Sequence, residues 1–591
     1  MLQKIGKMCD GAAPDRLLML AGQVLDSLDS LASLVETAVR LLLSGRWRAN
    51  APTVLSQLVQ LVGNDAARVA VADAASAMLQ SGELPVRSAL LCALQLGRGA
   101  SSDSARLAVA RAIAAGAGDL EGVAAEVVDV LTLLACGAEG DAAEEVACRA
   151  LCDIASSEVR SEGVPVWKIR DALAAVGSAS RSDVARRLVA EAMEAVAQRN
   201  GGRQEMARDN VLDSLARMGE SAGGSEAKEA VCRAIAAISQ SYDEDGMCAN
   251  MCNPATRVER FLSAIARAVP DDDTHDALRG AVGSAMGHFV NMCRFTIIHL
   301  EDAKLPLLEH GANLLAALGR GARTDEAREG VCDGIALLAL ADSDRGEGRF
   351  TDSPELRDVV LTLGSRSEGT AAREASCDAV WKLAGNYPTL MATREVRDLL
   401  VAIGRDADSD RLCMLTAAAT VELAQHDAGL VTPDVRDVLV GLGRRVGPCT
   451  GARDHIAVAV ATIAKLSPEG LRLVATEAVR EVLVALGATG GPELYSVVNA
   501  VAAIAVDLPG RQLMATADVR DLLLTLGRGG LRNDGGVEVD CEAVVRAVRA
   551  VASGEDGRRL LARDSVCAML ERMLASRRLR RRAKRALQMI G

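Results

Sequence analysis

The sequence predicts an all-α solenoid, and three observations carry that prediction. One phrase recurs in the second half of the chain. Val396-Arg397-Asp398-Leu399-Leu400-Val401-Ala402-Ile403-Gly404 returns as Val435-Arg436-Asp437-Val438-Leu439 ending at Gly443, as Val479-Arg480-Glu481-Val482-Leu483 ending at Gly487, and as Val519-Arg520-Asp521-Leu522-Leu523 ending at Gly527. The closing glycines step by 39, 44 and 40 residues, a period that belongs to stacked helical units. The composition is 50% hydrophobic but only 2% aromatic, so the core is built from Ala, Val and Leu, whose small side chains let stacked helices approach closely.

Upstream the phrase decays while its frame holds. Leu356-Arg357-Asp358-Val359-Val360 ends at Gly364, and Ile169-Arg170-Asp171-Ala172-Leu173 ends at Gly177. Gly97, Gly137 and Gly219 close further apolar stretches in steps of 40, 40 and 42 residues. The interval from Gly219 to Gly319 is 100 residues, room for two enlarged units or for two units and an insertion. Gly63 closes an earlier unit after Val54, Leu55, Leu58 and Leu61. The chain therefore holds roughly a dozen units, enough to bury a continuous core by stacking.

Within a unit, Val396, Leu399, Leu400 and Ile403 form the i, i+3, i+4, i+7 stripe of an amphipathic helix. Gly404 is expected to stop it in the left-handed conformation. A polar turn leads to a second long helix, marked by Cys377, Val380, Leu383 and Ala384, or by Ala457, Val460, Ile463 and Ala464. A short segment precedes the next phrase, as in Thr389-Leu390-Met391-Ala392-Thr393, Arg472-Leu473-Val474-Ala475-Thr476 and Gln512-Leu513-Met514-Ala515-Thr516. Ser353-Pro354-Glu355 and Thr432-Pro433-Asp434 have the form of N-caps with proline at the first helical position. Gly527-Arg528-Gly529-Gly530 is expected to be an inter-helix turn.

Two long helices and one short one in about forty residues is the armadillo pattern, whereas two helices alone would be HEAT. Ser376-Cys377-Asp378-Ala379-Val380-Trp381-Lys382-Leu383-Ala384-Gly385-Asn386 resembles the third helix of an armadillo repeat. The short segment and the arginine-aspartate phrase resemble the first and second helices of the next. The resemblance spans residues 50–591 and is closest after 350. It implies a right-handed superhelix with a concave face made of third helices, and a role as an interaction scaffold. The division expected is an N-terminal helical cap (1–50), a first subarray (51–245), an irregular repeat, insertion or hinge (246–304) and a second subarray (305–591).

The net charge of −12 argues against a general nucleic-acid binder. The opening residues, Met1 to Asp10, lack the apolar run of a signal peptide. The longest uncharged apolar run, near 494–506, is too short to span a bilayer. An intracellular protein is expected, in the cytoplasm or else the nucleus. Cys148, Cys232, Cys332 and Cys377 share one repeat position with Ala190, Ala457, Val498 and Val545, which marks a small buried core site and not a disulfide or metal framework. Cys248, Cys252, Cys293, His275 and His288 do not have the spacing of a zinc site. No cofactor is expected. Six scattered histidines and no nucleotide-binding or nucleophile motif give no catalytic constellation, and the chain is expected not to be an enzyme.

Three features are left as candidates for function. Arg397, Arg436, Arg480 and Arg520, with Asp398, Asp437, Glu481 and Asp521, are expected to form a structural ladder in which each arginine reaches the next unit's carboxylate. A charged stripe for a partner is the alternative. Trp381 lies on a third helix, as a single groove anchor or a partly buried repeat residue. The Trp/Asn array of importin-α-type receptors is missing, since its register-mates include Cys152, Glu194, Ala236 and Val421, so a transport factor is disfavoured. A basic run, Arg577, Arg578, Arg580, Arg581, Arg582, Lys584 and Arg585, carries a stripe of Leu579, Ala583, Ala586, Leu587 and Ile590. That pattern predicts a capping helix, with contact to an acidic partner, an anionic membrane or an import receptor left open. The function expected is a scaffold binding a protein segment along the third-helix face; an adaptor in a cytoskeletal, ciliary or other large assembly is the alternative.

Overall fold

The computed structural model describes residues 28–44, 50–117, 120, 122–157, 163–199, 202–240, 255–270, 273–297, 305–343, 353–447, 450–488, 495–530, 538–576 and 579–591. Every regular element among them is a helix. Packing divides the chain into two units, Met1–Val269 with Met292–Glu301, and Pro270–Asn291 with Asp302–Gly591. The division falls inside the stretch 246–304.

In the first unit the second helices are α2 (Ala51–Leu61), α4 (Val86–Arg98), α6 (Ala124–Gly137), α8 (Val166–Ala179), α11 (Asp209–Ser221) and α13 (Ala255–Ala268), each packed on the next. A parallel row of third helices is made of α1 (Leu28–Leu43), α3 (Asp65–Gln80), α5 (Asp103–Gly116), α7 (Asp141–Ala155), α9 (Asp183–Ala197) and α12 (Ser225–Ser239). Among its described residues the one short helix is α10 (Gly202–Met206).

The second unit has third helices α14 (Asp276–Ile297, to Asn291 in this unit), α16 (Asp325–Ser343), α18 (Thr370–Asn386), α21 (Asp410–His426), α23 (Thr450–Leu466), α26 (Tyr495–Ile504), α29 (Glu538–Ala552) and α32 (Arg580–Ile590). Its second helices are α15 (Leu305–Gly321), α17 (Pro354–Arg366), α20 (Arg394–Arg405), α22 (Pro433–Arg445), α25 (Glu477–Gly487), α28 (Ala517–Gly530) and α31 (Asp564–Met573). From Pro388 onward a short first helix or turn completes each repeat: α19 (Pro388–Met391), a 3-10 turn at Ala428–Leu430, α24 (Pro468–Val474), α27 (Leu508–Met514) and α30 (Glu555–Leu561). The three-helix repeat thus belongs to the stretch where the phrase is clearest. Between Gly219 and Gly319 the described helices are α12, α13 and α14.

The repeated glycine does not stop its helix. Gly364, Gly404, Gly443 and Gly527 lie inside α17, α20, α22 and α28, and none takes a positive φ. What demands glycine is the neighbour. A Cβ on Gly404 would stand 2.5 Å from Val438 Cγ1 and 3.0 Å from Thr416 Cγ2, and one on Gly364 3.0 Å from Leu399 Cδ2. At Gly319, Gly443 and Gly487 it would run into Val359, Val482 and Leu522. The intruding residue always occupies one place, the fourth of the next unit's phrase. Gly97 and Gly219 receive Val130 and Phe261 in the first unit in the same manner, and Gly177 receives Ser214 together with Met218. The segment Gly527-Arg528-Gly529-Gly530 is correspondingly helical.

The third helices are tied by a different device. Asp65, Asp103, Asp183, Asp276 and Asp325 each open a third helix or lie in its first turn, and each pairs with the arginine three residues on. The carboxylate also accepts N–H bonds from the turn that precedes the next third helix. Asp65 receives Ser102 N at 2.5 Å, Asp103 receives Glu139 N at 2.8 Å, Asp183 receives Gly224 N at 2.7 Å, Asp276 receives Thr324 N at 2.6 Å and Asp325 receives Gly369 N at 2.5 Å. Buried Glu144 does the same for Arg181 N at 2.9 Å, and Asp410 for Gly447 N at 2.8 Å. Burial pushes the Asp65, Asp183 and Asp325 carboxyls up, but their hydrogen bonds and arginines win and hold them below the usual carboxylate range. The sequence signal is an Asp-x-x-Arg that opens these five third helices.

Cys148, Cys232, Cys332 and Cys377 are all fully buried, as are Ala190, Ala457, Val498 and Val545 in the same register. Burial drives the Cys332 and Cys377 thiols up to about 12, so they behave as small apolar groups. Helix starts follow a local rule. Thr393, Ser409 and Thr476 accept Val396 N, Leu412 N and Val479 N at 3.4, 2.9 and 3.4 Å, and this explains the recurrent Ala-Thr before the phrase. Ser353 and Thr432 do precede a proline at the helix start, but their side chains make no cap bond; the Ser353 hydroxyl donates to Glu355 instead.

Two predictions follow from these ties. Alanine gains about 1 kcal/mol over glycine in a helix interior, while overpacking costs about 1–3 kcal/mol. Gly404→Ala is therefore expected to lower stability in chemical denaturation, and the same change in a Val438→Ala background to be neutral or stabilising. A Gly404→Ala effect independent of Val438 would refute the contact. At the rungs, the Asp276–Arg279 pair is buried with 1% and 3% of its side-chain surfaces exposed, so Asp276→Ala should cost about 3–5 kcal/mol. Asp325→Asn, at a rung with 33% of the aspartate exposed, should cost about 1.5–3 kcal/mol. Because the Asp325 carboxyl is depressed from 3.8, its contribution is present above that pH and fades on acidification, so the two proteins should converge in melting temperature in acid.

Candidate functional site

The predicted ladder residues sit in register on second helices, but the arginines do not reach the next unit. Arg397, Arg436 and Arg520 pair with Asp398, Asp437 and Asp521 of their own helix at 2.6, 2.6 and 2.7 Å. Arg480 pairs with Glu477 at 3.1 Å, leaving Glu481 to Arg444 at 3.5 Å. A guanidinium beside the next residue's carboxylate needs no longer reach. The bonds that cross between these helices come from other arginines, Arg405 to Asp434 at 2.6 Å and Arg444 to Glu481.

The third helices carry the more distinctive surface. On α18, Cys377 points into the core, which places Glu374, Asp378, Trp381 and Lys382 on the adjoining face. The same geometry on α16, phased by buried Cys332, places Glu329 and Asp333 there. Glu329, Asp333, Glu374 and Asp378 therefore share one face of two packed helices. Arg411 of α21 reaches Glu374 at 3.6 Å, and Lys382 is the other cation that acts on this group. Burial raises the Asp333 carboxyl to about 7, helped by Glu329 and Asp378. Burial likewise raises Glu329, with Glu326 and Glu374 adding to it, and raises Asp378.

Trp381 is half-buried beside this group. The Lys382 ammonium lies 3.8 Å from its ring centre, a cation–π contact. The ring edge meets His455 of α23, with centroids 6.3 Å apart and planes at 72°, so the indole spans the intervening α21. Asp454, next to His455, has a sheltered carboxylate oxygen with no hydrogen-bond partner.

The corresponding positions of the first unit are charged but paired. Arg233, one residue after Cys232, meets Glu191 at 3.8 Å and Glu194 at 3.4 Å as well as Glu229, and Arg187 reaches Glu226 at 2.8 Å. The signal for the difference stood in the cysteine register itself: Arg149 and Arg233 follow the cysteine in one unit, Asp333 and Asp378 in the other.

At the chain's end, Leu579, Ala583, Ala586 and Ile590 are buried as α32 packs on α29 and α31; Leu587 is half-buried. Arg580 donates to the Leu574 carbonyl at 3.1 Å, and Arg582 pairs with Glu542. Arg581, Lys584 and Arg585 are exposed, with no ion-pair partner among the described residues. Arg577 and Arg578 lie outside the described residues, as do Cys248, Cys252 and the Cys293 side chain. Among the described residues no group of three metal-ligating side chains converges, and no helix is long and apolar enough to cross a membrane.

Stacked helical pairs and triplets, with a third-helix face left to vary, define this chain as an α-solenoid of two- and three-helix repeats. Similar solved structures include one concerned with a conserved phosphorylation switch controlling the interaction between cadherin and β-catenin, at 14% identity and a TM-score of 0.48 over 78% of this chain and 90% of that one. Yeast importin-β follows at 11% and 0.44, over 98% and 73%, and UNC-45 from Drosophila melanogaster at 12% and 0.38, over 98% and 80%. No protein-family model and no curated protein matches the chain.

The raised Asp333 carboxyl has a pH consequence. The native state retains a proton that the unfolded chain, with an ordinary value of 3.8, has lost, so this stability is full below 3.8 and disappears as pH rises through about 7. Asp333→Asn is expected to raise the melting temperature at pH above that value and to change it little in mild acid. An equal shift at both pH values would show that charge is not the cause.

Proposed function

We propose that the chain is a non-enzymatic interaction scaffold whose third-helix face from α16 to α23 docks a cationic segment of a protein partner. The observation that carries this reading is the gathering of Glu329, Asp333, Glu374 and Asp378 on adjacent helices, where burial raises three of the carboxyls and neighbouring carboxylates add to it at Glu329 and Asp333. A lysine or arginine seated there would relieve that repulsion, and the indole of Trp381 offers a surface for the flanking residue. The buried free thiols of Cys148, Cys232, Cys332 and Cys377 fit a reducing compartment, cytoplasm or nucleus.

The test is titration with a synthetic peptide carrying two lysines four residues apart, followed by tryptophan fluorescence and by calorimetry. Binding should weaken as salt rises. Asp333→Asn with Asp378→Asn should weaken it about tenfold or more, equivalent to about 1.4 kcal/mol, and Trp381→Ala should weaken it too. Equal binding by wild type and the double variant would overturn the assignment of this face.

A further inference from the structure

We propose that the basic helix α32 of one copy docks on the acidic α16/α18 face of a second copy, so that the chain associates head to tail. This rests on the docking face assigned above and names an occupant for it. The apolar stripe of α32 is already used against α29 and α31, and Arg582 is held by Glu542. What α32 presents is therefore a rigid cationic face, with Arg581, Lys584 and Arg585 at i, i+3 and i+4. Glu329 and Asp333, and likewise Glu374 and Asp378, stand at i and i+4 on their helices. Four residues rise about 6 Å in each case, so the two charge sets match in spacing as well as in sign.

The occupant cannot be the same molecule's own α32. From α18 the third helices pack in series through α21, α23, α26 and α29 to α32. At about 8–10 Å per helix step the basic helix stands roughly 40–50 Å from the acidic face. A membrane is disfavoured because α32 has no apolar side left to insert. A nucleic acid is disfavoured by the chain's net charge of −12. The pairing joins two different surfaces, so it propagates from copy to copy and does not close into a two-fold dimer.

The test is sedimentation velocity of the full chain over a concentration series, at about 50 mM and about 0.5 M salt. Species larger than the monomer are expected to grow with concentration at low salt and to disappear at high salt. Arg581→Glu/Lys584→Glu/Arg585→Glu should weaken association tenfold or more, and so should Asp333→Lys/Asp378→Lys. Mixing the two reversed proteins should restore it, an outcome that misfolded variants cannot give; Asp333→Asn/Asp378→Asn serves as the milder change. A wild type that stays monomeric at low salt overturns the proposal, as does association abolished by only one of the two reversals. If the monomer still binds the lysine peptide, this inference falls and the docking reading stands. If peptide binding also fails, both fall. Binding of a monomeric wild type to phosphatidylserine vesicles or to duplex DNA, lost with the α32 reversal, assigns that helix to another anion and likewise overturns the proposal.

Discussion

The stack depends on a hydrogen atom where every other residue would carry a carbon. In the second helices α17, α20, α22 and α25 one glycine gives up its side chain so that the fourth residue of the next phrase can seat against the bare backbone: Leu399 at Gly364, Val438 at Gly404, Val482 at Gly443 and Leu522 at Gly487. The contact is unsymmetrical, since one helix offers the hole and the next the knob. It therefore propagates in one direction and fixes both the axial register and the spacing of neighbours. The cost is helix propensity, about 1 kcal/mol per unit, offset by close packing that a methyl group would disrupt. The same logic is stronger where α14 meets α16: a Cβ on Gly287 would fall 2.5 Å from the Gly334 Cα, so there backbone meets backbone.

The glycine and the aspartate rung act on opposite ends of one short turn. After Gly97 the chain passes through Ser101 and Ser102 into α5, and Asp65 of the preceding third helix holds those two serines. The turn is clamped on one side by packing against the next second helix and on the other by a carboxylate from the previous third helix. Two weak constraints applied at one place fix an angle that neither could fix alone. This also explains why the rung survives where the phrase decays. Asp65, Asp103 and Asp183 serve the first unit, where one short first helix lies among the described residues, and Asp276, Asp325 and Asp410 serve the second. A carboxylate closing unpaired N–H groups at a helix start is a local solution, indifferent to how many helices a repeat contains.

Periodicity made the helices, the unit length and the buried cysteine register legible, because phase along a helix is a property of spacing alone. Roles that depend on what lies opposite were not legible. Gly404 and a helix-ending glycine look identical in sequence, and only the position of Val438 separates them. Arg397 looked like an inter-unit bridge because its distance to the next helix could be estimated, while its nearer partner, Asp398, was treated as part of the same rung. The acidic face is hidden in the sequence for a related reason. Asp333 and Asp378 each follow a core cysteine, and two residues in register become an electrostatic problem only when their helices are packed together with more carboxylates than cations between them. The Asp-x-x-Arg repeat was within reach of a register comparison, since Asp65, Asp103, Asp183, Asp276 and Asp325 share it.

What the two ties make possible is freedom everywhere else. Once glycine and aspartate set the stack, the residue after the buried core position on a third helix has no structural duty, and it varies accordingly: Arg149, Glu191 and Arg233 in the first unit, then Asp333, Asp378, Ala418, Val458, Asn499 and Arg546 in the second. In the first unit the alternation of sign lets neighbours neutralise one another, and Arg233 alone serves three glutamates. In the second, two aspartates in succession gather negative charge that Arg411 and Lys382 offset only in part. A stacking role would favour alternation, since like charges at this spacing only destabilise. A surface that retains them across adjacent helices, beside a tryptophan that already holds one ammonium against its ring, has the electrostatics of a receptor for cations. The register that keeps the core constant is thus what would allow the proposed binding face to be written one residue away from it.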